Sequence, residues 1–232
     1  MRIQQFRYST DNFSYLLHGR KSALAVDPGA VDDILAYLDG KDLTLEHVVN
    51  THLHPDHTIG NHEILQRTKA RFIENRDLHG MESMAVDDEP VRIFHTPGHT
   101  EDSFTFHSGT TLITGDTLFN GTVGNCFSGD LESFYRSIKI LTGFGGGTTI
   151  YAGHDYVEYS MAFARSLEPD NRDIDEFLKR YDPRHVRSTL ADELKINPYL
   201  RFNDPTMIAL LENKGLPVET ELKRWKSLME CY

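Results

Sequence analysis

Thr51-His52-Leu53-His54-Pro55-Asp56-His57 sets four potential metal ligands within six residues, immediately after the apolar stretch His47-Val48-Val49-Asn50. His52 and His54 lie two apart, so an extended backbone turns both side chains to one side. Pro55 lacks a backbone N–H and suits the first position of a helix. Asp56 and His57 then fall in a first helical turn and aim at a different point from the histidine pair. One short segment can therefore serve two neighbouring metal ions. Imidazole and carboxylate suit zinc, iron or manganese alike, so ligand type does not select the metal. A lone histidine in a polar turn reads as a surface residue; four potential ligands packed behind an apolar strand do not.

Three further residues repeat one setting. His99 in Pro97-Gly98-His99, Asp116 in Gly115-Asp116 and His154 in Gly153-His154 each follow a short apolar strand and sit beside a glycine. Glycine permits a sharp turn and a close backbone approach, and loops at strand ends are where an α/β scaffold carries its chemistry. His18, His47, His62, His79, His95, His107 and His185 lack that setting and read as structural or exposed.

Working outward, residues 1 to about 157 alternate short strands with helices. Strands are expected at Ser14–His18, Ser22–Val26, His47–Asn50, Ala70–Ile73, Val91–His95, Phe104–Phe106, Thr111–Thr114 and Thr148–Ala152. Helices are expected at Val31–Leu38 (stopped by Asp39-Gly40), Asn61–Thr68 and Leu131–Leu141. Beyond Val157 the pattern reads as helices alone, at Tyr159–Leu167, Arg172–Arg180, Thr206–Leu211 and Thr220–Met229. The expectation is a mixed α/β catalytic domain over 1–157 and a C-terminal helical, substrate-binding domain over 158–232.

Composition narrows the function. The 232 residues are 39% hydrophobic and 25% charged, ordinary for a folded chain. A formal net charge of −11 argues against a nucleic-acid partner, which needs clustered Lys and Arg. No apolar run approaches the roughly 20 residues that span a bilayer, and the N-terminus has no signal-like apolar region. Only Cys126 and Cys231 are present, so no disulfide framework is expected, and a cytoplasmic location follows as the default.

The motifs Thr-His-Leu-His-Pro-Asp-His at 51–57, Thr-Pro-Gly-His-Thr at 96–100, Gly-Asp-Thr-Leu-Phe at 115–119 and Gly-His-Asp-Tyr at 153–156 resemble the metallo-β-lactamase superfamily in kind and order. The resemblance implies an αββα sandwich with the site at one edge of two sheets, and Asp27 fits a recurring structural Asp of that fold. Within the superfamily the chain is similar to glyoxalase II, the hydroxyacylglutathione hydrolase family. Glu168-Pro169, Ser188-Thr189-Leu190, Glu193 and Asn197-Pro198-Tyr199-Leu200-Arg201 carry that likeness independently of the ligand motifs. Residue by residue, it implies two divalent metals: one on His52, His54 and His99, one on Asp56, His57 and His154, with Asp116 between them. Zinc is the first expectation, with iron and manganese also found in such proteins.

The same resemblance implies a small-molecule thioester substrate, S-(2-hydroxyacyl)glutathione such as lactoylglutathione, attacked by a water activated between the two metals and oriented by Asp56. Tyr156 matches a glutathione-contacting Tyr, and Lys223 and Lys226 match basic residues near the C-terminus. The loop after Asp116 departs from the family pattern: Asn125 stands where Arg or Lys is usual, and of two aromatics only Phe127 remains. A charge-assisted bond is roughly twice as strong as a neutral one, so a thioester of a different thiol stays open. So does a persulfide dioxygenase with one iron on two His and one Asp.

Overall fold

The computed structural model describes residues 1–231; the side chain of Cys231 lies outside the described residues. Eleven strands form two sheets. The first runs in the order β1 (Arg2–Tyr8), β2 (Asn12–His18), β3 (Ser22–Val26), β4 (Thr44–Val49) and β5 (Arg71–Phe72). The second runs, in spatial order, from β11 (Ser188–Thr189) through β10 (Thr149–Ala152), β9 (Thr111–Gly115), β8 (Phe104–Ser108) and β7 (Glu89–His95) to β6 (Ser83–Val86).

The two-residue period of each strand assigns its faces. On β2, Phe13, Tyr15 and Leu17 point between the sheets, joined there by Leu24 and Val26 of β3, Val91 and Ile93 of β7, Phe104 and Phe106 of β8, and Ile113 of β9. Leu16, Ala23, Ala25 and Val48 point the other way, onto α1 (Val31–Lys41) and α3 (Asn61–Arg67) through Ile34, Leu38 and Ile64. Leu112 and Ile150, on the outer face of the second sheet, pack on Phe134, Ile138 and Leu141 of α5 (Leu131–Thr142). With both faces covered, β2 and β3 are buried along their whole length. The result is the αββα sandwich.

Between these lie α2 (Pro55–Thr58) and α4 (Asn75–Leu78). The C-terminal region adds α6 (Val157–Leu167), α7 (Arg172–Leu178), α8 (Leu190–Ile196), α9 (Pro205–Asn213) and α10 (Glu221–Cys231). Leu190, Trp225 and Leu228 bury against the α5 face of the second sheet. Among the described residues, no helix is long and apolar enough to cross a membrane.

Four sequence expectations need correction. The region after Val157 is not helices alone: Ser188–Thr189 pair antiparallel with β10 and add a sixth strand to the second sheet. The expected list lacks β1, whose pattern of half-exposed positions has no clean alternation, and β6. It also lacks α8, which Thr189 opens with a reciprocal cap to Asp192. Asp39-Gly40 does not stop α1, which continues to Lys41 and ends at Asp42 in the left-handed region (φ 52°).

Candidate metal centre

The ligand-bearing segments all leave the sandwich at one edge. The chain after β4 carries Thr51 to His57, that after β7 carries His99, that after β9 carries Asp116, and that after β10 carries His154. Pro55 opens α2 with His54 in the extended cap position (φ −65°, ψ 146°), so the pair before Pro55 and the pair after it face different points.

Three groups of donor atoms converge: His52, His54 and His99; Asp56, His57 and His154; and His52, His57 and Asp116. In the first, His54 Nδ1 lies 3.0 Å from His52 Nε2 and 3.1 Å from His99 Nε2. In the second, His154 Nε2 lies 3.2 Å from His57 Nε2 and 3.3 Å from Asp56 Oδ2. A tetrahedral ion with metal–nitrogen bonds of 2.0–2.1 Å holds its ligand atoms about 3.3 Å apart, so each group is spaced to close on one ion. The Asp116 carboxylate faces both groups. Its Oδ2 is 3.5 Å from His99 Nε2 and 3.4 Å from His154 Nε2, and its Oδ1 is 3.4 Å from His57 Nε2. That Oδ1 is buried with no hydrogen-bond partner. A buried carboxylate oxygen without a donor is costly, and a cation between the two histidine groups would satisfy it. The residues present therefore fit divalent metal.

Glycine makes this density possible at two places. A Cβ on Gly153 would sit 2.1 Å from Asp116 Oδ1 and 2.8 Å from His57 Cε1, and one on Gly124 would sit 2.0 Å from the Asp116 carbonyl oxygen.

Each imidazole that offers Nε2 is held at its other nitrogen. Nδ1 of His57 meets Asp27 Oδ2 at 2.9 Å, that of His154 meets Asp11 Oδ1 at 3.0 Å, and that of His99 meets the Asn125 carbonyl at 3.0 Å. His52 Nδ1 is 3.1 Å from Thr51 Oγ1. Such contacts fix ring orientation and aim Nε2 at the point where a metal would sit. Burial lowers His52 to about 2 and lowers His99 as well, keeping both neutral, the form that binds metal. Burial opposes charge on Asp116, yet contacts with His154 and His57 hold its pKa well below the usual carboxylate value. Asp56, whose side chain is 47% exposed, is likewise held low. Burial works against ionisation there and is outweighed by the Asn12 hydrogen bond and by His57.

The remaining site candidates are placed as follows. Tyr156 stacks on His154 with centroids 5.1 Å apart and planes 6° from parallel; burial and then Asp11 push its hydroxyl up to about 12, so it stays a donor. Phe127 is 66% exposed and lies edge-on to His54 and His99 at 5.7 and 5.2 Å. The side chain of Asn125 is exposed, while its carbonyl serves His99. Lys223 pairs with Glu219 in the bend before α10; among the described residues no hydrogen bond or ion pair joins Lys223 or Lys226 to the cluster.

Sequence reasoning missed Asp11, Asn12 and Tyr8. Asn12 Nδ2 donates to Asp56 Oδ2 at 2.9 Å, and the Tyr8 hydroxyl donates to the Asp56 carbonyl at 2.8 Å. Asp11-Asn12 reads locally as a turn between two strands. Only the pairing of Asn12 with His154 across the sandwich edge brings it to the site.

Residues 10–94 match the model of the metallo-β-lactamase superfamily, and residues 155–229 match that of the hydroxyacylglutathione hydrolase C-terminus. A hydroxyacylglutathione hydrolase of Chromohalobacter salexigens is 32% identical, over 88% of this chain and 88% of that protein. One of Methylococcus capsulatus is 32% identical over 98% of each. The crystal structure of ETHE1 from Myxococcus xanthus superposes with a TM-score of 0.68 at 25% identity, covering 100% of this chain and 99% of that one. With residues 10–94 and the C-terminal helices both matched, and relatives 32% identical over most of both chains, the chain belongs to the hydroxyacylglutathione hydrolase family of the metallo-β-lactamase superfamily.

Proposed function

We propose that this protein hydrolyses S-(2-hydroxyacyl)glutathione thioesters, such as lactoylglutathione, to a 2-hydroxy acid and glutathione, using two divalent ions. The observation that carries the reading is the single Asp116 carboxylate facing two three-residue ligand groups. His52, His54 and His99 would hold one ion and Asp56, His57 and His154 the other, with Asp116 shared. Zinc is the expected metal, and iron or manganese suit the same donors. When bound, the ions supply Lewis acidity to a thioester carbonyl and to an attacking water.

The chain's own groups supply orientation. Asp56 Oδ2, pinned by Asn12 and half open to solvent, accepts a hydrogen bond from the water and aims its oxygen at the carbonyl carbon. A new C–O bond forms, the C–S bond breaks, and sulfur leaves as thiolate. A thiolate is a good leaving group, so no strong general acid is needed. Phe127, against His54 and His99, and the Tyr156 ring, stacked on His154, flank the cluster and are placed to contact the thioester. The C-terminal region from residue 158 is the substrate-side unit in this reading, with Lys223 and Lys226 on its last helix available to carboxylates of the thiol moiety. A small-molecule thioester in the cytoplasm is the expected partner.

The exposed Asn125 amide, in place of a cation, favours a second thiol as the alternative substrate. A complete second ligand group exceeds what a single-iron persulfide dioxygenase requires. A thiol-release assay over lactoylglutathione and thioesters of other small thiols, run with metal analysis, decides among them. Release fastest from lactoylglutathione supports the reading; preference for another thiol moves the substrate, and oxygen uptake on persulfide without thiol release overturns it.

A further inference from the structure

Glu193 is a fully buried carboxylate on α8, well away from the metal ligands in sequence. Its two oxygens receive the Gly121 N–H at 2.9 and 3.1 Å and Asn197 Nδ2 at 2.9 Å, with Ser188 beside it. The Gly121 N–H and the Asn197 amide both donate, so a carboxylate, an acceptor at both oxygens, suits this pocket better than an amide with one oxygen. Gly121 adopts φ +93°, and a Cβ there would strike Met161 Cε at 2.3 Å. The loop is thus bent sharply at the point where Glu193 grips it. Asn197 grips the next residue as well, donating to the Thr122 carbonyl at 3.1 Å, while Asn120 donates to Ser188 Oγ at 2.7 Å.

The other end of the same loop reaches the metal centre. Leu118 and Val123 pair as a bridge that narrows the loop, and Gly124 packs on the Asp116 carbonyl. The Asn125 carbonyl fixes His99 Nδ1, and the Phe127 N–H donates to the His99 carbonyl at 3.0 Å. Residues 118–127 therefore form a short strap between a buried acid of the C-terminal helices and one histidine ligand. The strap also carries Phe127 against His54 and His99.

We propose that Glu193 is a positioning residue for the thioester reaction: through Gly121 it holds the strap that orients His99 and places Phe127. The assignment rests on the hydrolase reading above, but its metal readout does not depend on the substrate. It also makes the C-terminal region a part of the metal centre's frame as well as a substrate surface.

The test is Glu193→Gln in the full chain, reconstituted with zinc. The expected result is a folded protein, with unchanged fluorescence of the single Trp225, that releases zinc to a chelator about tenfold faster and shows kcat about tenfold lower, the range of outer-contact losses at metal sites. A folded variant with zinc release, kcat and KM all within twofold of wild type overturns the proposal. Hydrogen exchange of the wild-type Gly121 amide gives a second reading, decisive also if the variant does not accumulate folded. Protection should rise at least about tenfold on zinc loading, as coupling along the strap requires; equal protection with and without zinc overturns the proposal. If wild type cleaves no thioester while zinc release still separates the two proteins, the substrate reading fails and the hold of Glu193 on the strap and His99 stands.

Discussion

Replacing Asp27 by asparagine isolates one charge beneath the metal centre. Asp27 is 1% exposed and sits in the left-handed region (φ 50°), which asparagine tolerates as well as aspartate. Its carboxylate accepts four donors: the Thr51 N–H and Thr51 Oγ1 at 2.7 Å each, His57 Nδ1 at 2.9 Å and Asn50 Nδ2 at 3.3 Å. An amide has one oxygen, so its NH2 must face at least one of these donors. If it faces His57, the Nδ1 proton loses its acceptor and the ring shifts toward the tautomer protonated on Nε2, the atom aimed at Asp116 and His154. Loss of such an outer contact costs roughly 10–100-fold in metal affinity, or about 1.4–2.8 kcal/mol. The stranded donor costs a further 1–3 kcal/mol of stability or so, about 2–12 °C in Tm for a chain of this size. Chelator competition at fixed pH measures the first, and thermal unfolding of metal-free protein the second. Asp27→Asn protein that binds both ions within twofold of wild type would refute the view that Asp27 sets the His57 tautomer.

Other perturbations follow from the same geometry. Gly153→Ala would thrust a methyl to 2.1 Å from Asp116 Oδ1, so metal content should fall below one ion per chain and thioester turnover by at least about a hundredfold, read by elemental analysis and thiol release. Phe127→Ala removes a 66% exposed ring; Tm should hold within about 1–2 °C, because exposed side chains contribute little to stability, while KM rises several-fold. Burial pushes Glu193 up to about 7, against the hydrogen bonds from Asn197 and the Gly121 N–H that favour its ionised form. A folded-state pKa above the ordinary 4.5 means that the folded chain binds the extra proton. This contribution is therefore full below about pH 4.5, is lost as pH rises through 7, and is flat above. Its size is about 3 kcal/mol, and denaturant midpoints of wild type minus Glu193→Gln across pH 4–8 should trace it. A difference independent of pH would show that Glu193 does not titrate in this range.

How much of this was legible in the chain depends on what each residue has to do. The convergence of His52, His54, Asp56 and His57 was readable because such donors at short spacing behind an apolar strand can meet, and Pro55 supplied the change of direction. The buried strands β2 and β3 were readable because apolar runs ended at turn residues. β1 was not, since Arg2–Tyr8 interleaves charge and amide with only Phe6 and Ile3 for the core, and its stability comes from pairing with β2. β11 is two residues long, and nothing local marks Ser188–Thr189 as a partner of Thr149 and Ile150. Asp11, Asn12 and Glu193 act through partners more than 40 residues away (Asn12 on Asp56, Glu193 on Gly121). Long-range hydrogen bonds leave no periodicity, and polar side chains in turns or caps have ordinary local explanations.

The central claim is a two-metal centre joined by Asp116, and the most direct test is the number of ions each chain holds. Purified protein reconstituted with zinc, freed of loose metal and analysed for zinc per chain should hold two ions, and Asp116→Ala protein fewer than one, with thiol release lost in parallel. A single ion per wild-type chain at full thioester turnover, or two ions retained without Asp116, would contradict it.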